Sequence, residues 1–131
     1  MEVDNVIGTK LSEIQKKPDS IKLVFQNTGN GKSYVLFFDG ILLETSGSSL
    51  NRRVKNIQID NILGFKTSTQ LRHLKKNPNN YKQLFIQMEG SNEENKFELL
   101  GAFKNYKISS RNQISGKNRT GTFNAARSKP A

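Results

Sequence analysis

The chain has 131 residues, 21 Lys or Arg, 11 Asp or Glu, one His and no Cys, for a formal net charge of +10. That length suits one domain able to bury a core without a disulfide or a metal. The absence of Cys excludes thiolate nucleophiles, disulfide frameworks and Cys-type zinc sites. No apolar run approaches the roughly 20 residues of a membrane-spanning helix, and the start, Met1-Glu2-Val3-Asp4, is unlike a secretion signal. A cytoplasmic setting is the expectation from these features.

In chain order, Leu11–Lys17 reads as a short helix closed by Pro18, with Leu11 and Ile14 three apart on one face. In Ser20–Gln26, Ile21, Leu23 and Phe25 fall on alternate positions, which predicts a strand with one apolar face. "NTGNGK" at 27–32 supplies a hairpin loop, and "SYVLFF" at 33–38 reads as a more buried strand. Ile41–Thr45 and Val54–Ile59 are further strand candidates, separated by a polar linker at 46–53. A helix is predicted over Ser68–Lys76. Thr67 and Gln70 have capping-box spacing, Leu71 and Leu74 face the core, and Pro78 stops the chain from continuing. Tyr81–Glu89 alternates Leu84, Ile86 and Met88; after a polar turn come strands at Lys96–Phe103 and Asn105–Ile108. The last segment, 111–131, holds only Ile114 and Phe123 as large apolar residues and reads as a flexible basic tail.

The chain also resembles itself. "DNVIGTK" at 4–10 matches "DNILGFK" at 60–66, and "LSEIQKKPDSIKLVF" at 11–25 matches "LRHLKKNPNNYKQLF" at 71–85. Two copies of this length imply a pseudo-two-fold domain rather than a solenoid. The expected fold is therefore α+β and mainly β. A single domain over 1–110 comprises internally duplicated antiparallel hairpin units, at about 4–45 and 60–108, with one or two short helices.

Gly31-Lys32-Ser33 also ends the phosphate-binding loop of nucleotide hydrolases. Such a loop needs another Gly five residues before the first of these and a helix after it. Here Gln26 stands in the first position, and the residues after Ser33 favour a strand. Nucleotide hydrolysis is not expected. His73 is the lone histidine; Arg72 and Lys75 beside it oppose its protonation, and no nucleophile motif accompanies it. The acids show no Asp-x-Asp-x-Asp-Gly cation loop. No catalytic residue, cofactor or metal site is expected, and a small hydrolase built on Asp60 or His73 is the weakest reading.

Cationic surface is the dominant signal. Residues 1–110 carry 16 basic and 11 acidic side chains, whereas residues 111–131 carry five basic ones and no acid. Candidate contacts are Lys16 and Lys17, their counterparts Lys75 and Lys76, the loop residue Lys32, and Arg52, Arg53 and Lys55 in "NRRVK". Arg111, Lys117, Arg119, Arg127 and Lys129 extend the set into the tail. Arginine forks suit carboxylate or phosphate capture. The expected function is a non-enzymatic interaction or assembly module that engages an acidic protein surface or larger assembly through these residues. The alternative is binding to RNA or DNA phosphates, although no nucleic-acid-binding signature is present. An exposed sheet edge would also let a second copy pair. The hairpins and "ELLGAFKNYKI" resemble small bacterial interaction domains, toxin-immunity proteins among them; a strong positive charge is unusual for an inhibitor of nucleases.

Overall fold

The computed structural model describes residues 2–27 and 29–112. Its strands are β1 (Lys10–Lys17), β2 (Ser20–Asn27), β3 (Lys32–Ser46), β4 (Val54–Asp60), β5 (Lys82–Met88) and β6 (Glu98–Asn112). One helix, α1 (Phe65–His73), joins β4 to β5, and short 3-10 segments lie at Val3–Val6 and Pro78–Asn80. The six strands form one antiparallel sheet in the order β1-β2-β3-β6-β5-β4. The fold is thus mainly β with one helix, as the alternating sequence pattern leads one to expect.

The sheet is built on a long central ribbon. β3 and β6 pair from Lys32↔Asn112 to Ser46↔Glu98, with irregularities at Asp39/Gly40 and Leu42/Glu44. Extra residues at such points bend a strand and sharpen its twist. Gly40 sits at the first bend. A Cβ built there would lie 2.2 Å from the Ala102 carbonyl oxygen and 2.6 Å from the Phe103 Cα. Only a residue without a side chain lets β6 come so close.

The bent sheet brings its two outer strands together. Lys10 and Arg53 form an antiparallel bridge. Around it, Gly8 N–H donates to the Val54 carbonyl (2.8 Å), Val54 N–H to Thr9 (2.8 Å), Leu11 N–H to Arg52 (3.0 Å) and Asn51 N–H to Leu11 (2.7 Å). The start of β1 is thereby tied to the start of β4, and the sheet curls into a partly closed barrel. Closure satisfies backbone groups that an open edge would expose.

One face of every strand points inward. Leu11, Ile21, Leu23, Phe25, Leu36, Phe38, Ile86, Met88, Leu99 and Phe103 are fully buried in a single cluster, and Val6 of the first 3-10 segment joins it. Burying a side chain of this size contributes about 1.5–3 kcal/mol. Phe38 and Phe103 cross-brace the ribbon, with ring centroids 5.1 Å apart. A second, smaller cluster lies on the outer face, where Leu71 of α1 packs with Tyr81 and Ala102, flanked by Ile41, Leu43 and Leu63.

Several local expectations are corrected. Leu11–Lys17 is not a helix but strand β1. Its register shifts between Leu11 and Glu13, so that Ser12 is an extra residue. The bulge lets Leu11 and Ile14, three apart, both reach the core, imitating helical spacing. The candidate strands at 33–38 and 41–45 are one strand bent at Gly40, and those at 96–103 and 105–108 are likewise one strand. α1 runs from Phe65 to His73 rather than from Ser68 to Lys76, and its N-cap is Gly64, which has no side chain to cap with. The Gln83 Oε1 atom on β5 accepts from Gly64 N–H (2.9 Å) and from the Thr67 hydroxyl (2.6 Å). A strand residue thus replaces the expected capping box. The linker at 46–53 is part of the barrel seam, through Asn51, Arg52 and Arg53.

The strand order reads the same from either side, as two three-stranded meanders meeting at β3 and β6. The residues matched in sequence do not take matching places, however. Leu23 and Phe25 are buried, whereas their counterparts Gln83 and Phe85 are only partly covered and Leu84 between them is buried. Leu11–Lys17 is a strand, while 71–77 spans the end of α1 and the turn after it.

Candidate functional site

"NTGNGKS" is the β2–β3 hairpin. Gly31 N–H donates to the Asn27 carbonyl (3.1 Å), Gly31 has a φ of 69°, and β3 follows at once. Among the described residues no helix N-terminus faces this loop, whereas a nucleotide site's anion cradle needs one.

One lysine from each of the two pairs singled out in the sequence, Lys16 and Lys76, lines one of two adjoining grooves. β2 ends its pairing at Ile21↔Phe38, and the β1–β2 turn stops beside Asp39 and Gly40. β3 runs on past that turn, and α1 lies along it, with Lys66 near the helix start bonded to Glu44 at 2.7 Å. The helix end therefore faces the hairpin end across β3. Lys16, Ile41, Leu42, Leu43, Gln70, His73 and Leu74 line a groove of about 390 Å³ there. An adjoining polar groove of about 320 Å³ is lined by Asp19, Asp39, Gly40, Ile41, Lys76, Tyr81 and Lys104. Ile41 belongs to both, so the grooves that Lys16 and Lys76 line adjoin at it.

Lys75 and Lys76 owe their places to how α1 ends. Lys75 N–H donates to Arg72 O (2.9 Å) and Lys76 N–H to Leu71 O (2.9 Å), with Lys75 at a φ of 60°. This is the Schellman arrangement, which reverses the chain direction and satisfies the last carbonyls. It leaves Lys75 exposed and turns Lys76 back toward β3. Lys104, which sequence reasoning missed, lies with its ammonium 5.6 Å from the Tyr81 ring centroid. Its outward position on β6 follows from strand alternation, but its nearness to Lys76 depends on where α1 docks.

Charge at the two grooves differs. Asp19 and Asp39 share the second groove with Lys76 and Lys104, although no ion pair forms among them; Lys66–Glu44 is the one ion pair among the described residues. The first groove has Lys16 and His73 and no carboxylate, over an apolar floor. It therefore favours a ligand with both apolar and negative groups.

The other candidates are dispersed. Arg52 is half-buried; its Nε donates to the Ser48 carbonyl at 2.7 Å and its guanidinium lies 3.4 Å from the Phe97 ring centroid. Arg53 donates to the Gly8 carbonyl at 2.8 Å. The Arg53 side chain thus braces the seam, and that of Arg52 ties the loop before β4 to the start of β6. Lys55 is exposed on β4, and Lys17 is exposed at the end of β1. Lys32 and Arg111 are exposed together at the far end of the ribbon, where Ser33 pairs with Arg111. Arg111 is in β6, so that strand enters the segment read as a tail, whereas Lys117, Arg119, Arg127 and Lys129 lie outside the described residues.

His73 closes α1 and Asp60 closes β4; they line no common groove. Among the described residues, no group of three His, Asp or Glu side chains stands together as a metal site would require. No helix among them is long and apolar enough to cross a membrane. Compared with known proteins, the chain matches no family model, no curated protein and no solved structure.

Proposed function

We propose that the protein is a non-enzymatic interaction or assembly module that engages an acidic protein partner through its basic surface and C-terminal segment. The observation that carries this reading is that Lys16 and Lys76 line adjoining grooves that share Ile41, neither lysine in an ion pair. Lys16 meets no acid in its groove, and such an uncompensated cation raises the local potential and steers an acidic partner into it. An apolar floor beside the lysine adds burial energy that charge attraction alone lacks. Lys117, Arg119, Arg127 and Lys129 add positive charge in the same chain, which favours an acidic partner.

The test is binding of the full chain to polyglutamate and, separately, to mixed RNA and DNA fragments, each at low and high salt. Polyglutamate should bind and weaken with salt, and Lys16→Glu with Lys76→Glu should reduce that binding. Replacing Lys117, Arg119, Arg127 and Lys129 by Gln should reduce it further. Preference for nucleic acid, with affinity falling steeply as salt rises, would move the function to the alternative of phosphate-backbone binding.

We also infer that the two halves, 4–45 and 60–108, arose by duplication of a three-stranded unit. The palindromic strand order supports this, while the residue matches do not, because matched side chains face opposite sides. A duplicated unit of 2–46 expressed alone should form a symmetric dimer through β3; failure to fold or pair argues against the idea.

A further inference from the structure

β3 outruns its neighbour. Its pairing with β2 ends at Phe38, yet it continues to Ser46 paired with β6 alone. Among the described residues no other backbone hydrogen bond reaches Ile41–Thr45. The barrel is closed at the β1–β4 seam, but this stretch of β3 remains a true sheet edge. Edges of this kind carry unpaired backbone groups that accept an added strand.

We propose that an extended segment of a partner, alternating acidic and apolar residues, adds as a strand to β3 at Ile41–Leu43. The proposal rests on the interaction reading above and names the partner's chemistry. The floor of the groove is the edge itself, Ile41, Leu42 and Leu43. An added strand lies about 4.8 Å from its neighbour. Its walls would be Lys16 from β1 on one side and His73 and Leu74 from α1 on the other. Leu74 is 51% exposed and supplies an apolar contact for a guest side chain on that face. Lys16, with no acid in its groove, supplies the charge for a carboxylate on the alternate side chains. Leu43 is the extra residue of the irregularity between Leu42 and Glu44, so the register breaks there and the added strand ends at it. The chain's own residues 113–131 are a poor guest, since their charged side chains are all basic.

The test uses the full chain and a set of eight-residue peptides alternating Glu or Asp with Val, Ile, Leu, Phe or Tyr. Each peptide has two partners, N-methylated at the odd or at the even amides, which keep charge and apolar surface but lose one row of donors. Backbone amide signals of Ile41, Leu42 and Leu43 should shift and gain protection from exchange with at least one peptide. One of the two methylation patterns should abolish binding, and the other should leave it nearly intact. Lys16→Glu should weaken it about tenfold or more, which corresponds to about 1.4 kcal/mol. The proposal is overturned if the full set at millimolar concentration leaves these three amides unmoved. It is overturned equally if both methylated forms bind as well as the parent. In either case polyglutamate binding that survives would leave the acidic-partner reading standing, whereas its loss would remove that reading too. Binding of nucleic acid or of a peptide copying 113–131 to the same three residues would also refute it.

Discussion

Arg52 stacks on Phe97, with the guanidinium carbon 3.4 Å from the ring centroid, and fastens the loop before β4 to the start of β6. Its Nε–H also donates to the Ser48 carbonyl at 2.7 Å. A cation over an aromatic ring contributes about 0.5–2 kcal/mol, and the hydrogen bond about 1 kcal/mol more. Arg52→Ala should therefore lower stability by about 1–3 kcal/mol in urea unfolding. In a double-mutant cycle with Phe97→Leu, the two changes should couple. Additive losses would show that the stack carries no energy of its own. Binding to acidic peptides should change little, because this arginine is spent within the fold.

Gly40 should tolerate no side chain. With Ala102 O only 2.2 Å from a built Cβ, Gly40→Ala forces the β3–β6 ribbon apart. We expect a loss of about 2–4 kcal/mol, comparable with severe overpacking. Gly64→Ala is the control: its nearest contact would be Gln83 Oε1 at 3.3 Å. Thermal unfolding of both variants decides the matter, and equal midpoints would mean that the bend yields easily.

Gln83 should matter to α1 although it is not part of it. Its Oε1 atom accepts from Gly64 N–H and the Thr67 hydroxyl. Gln83→Ala leaves the buried Thr67 hydroxyl without its acceptor, a loss of about 1–2 kcal/mol. Amide exchange over Phe65–Ser68 should accelerate in that variant, while Gln83→Glu, which keeps the acceptor, should retain most of the protection. Unchanged exchange in Gln83→Ala would show that the helix start is held by packing alone.

Lys75 occupies a left-handed conformation at φ 60° in the turn that ends α1. A side chain there costs about 1 kcal/mol relative to Gly. Lys75→Gly should raise the unfolding midpoint, an uncommon direction for a substitution. The same variant should leave groove binding intact, since Lys75 lines neither groove. A drop in stability would mean that the lysine makes compensating contacts near the helix end.

Strand positions with strict alternation were legible without coordinates. Ile21, Leu23 and Phe25, and likewise Leu84, Ile86 and Met88, face the core as their spacing implies. The β2–β3 loop was legible too, because Gly31 and the β-branched and aromatic run after it leave little choice. β1 was not. Its bulge places Leu11 and Ile14 on one face, and three-residue spacing reads as helix. The start of α1 was hidden for a related reason: its cap comes from Gln83, nineteen positions away in the chain.

The residue pattern alone determined that this chain is a β-rich domain with an excess of cations, because alternation, turn chemistry and charge are local properties. Where those cations lie was decided only in three dimensions. Lys16 and Lys76 line grooves that adjoin at Ile41 because β3 extends beyond the β1–β2 hairpin and α1 folds back along it. Arg52 and Arg53, equally basic in the sequence, are drawn into the fold by contacts with residues far away in the chain, Phe97 and Leu11 for the one, Gly8 and Lys10 for the other. Strand register and helix docking depend on which distant surfaces pack together, and no local window of residues contains that information.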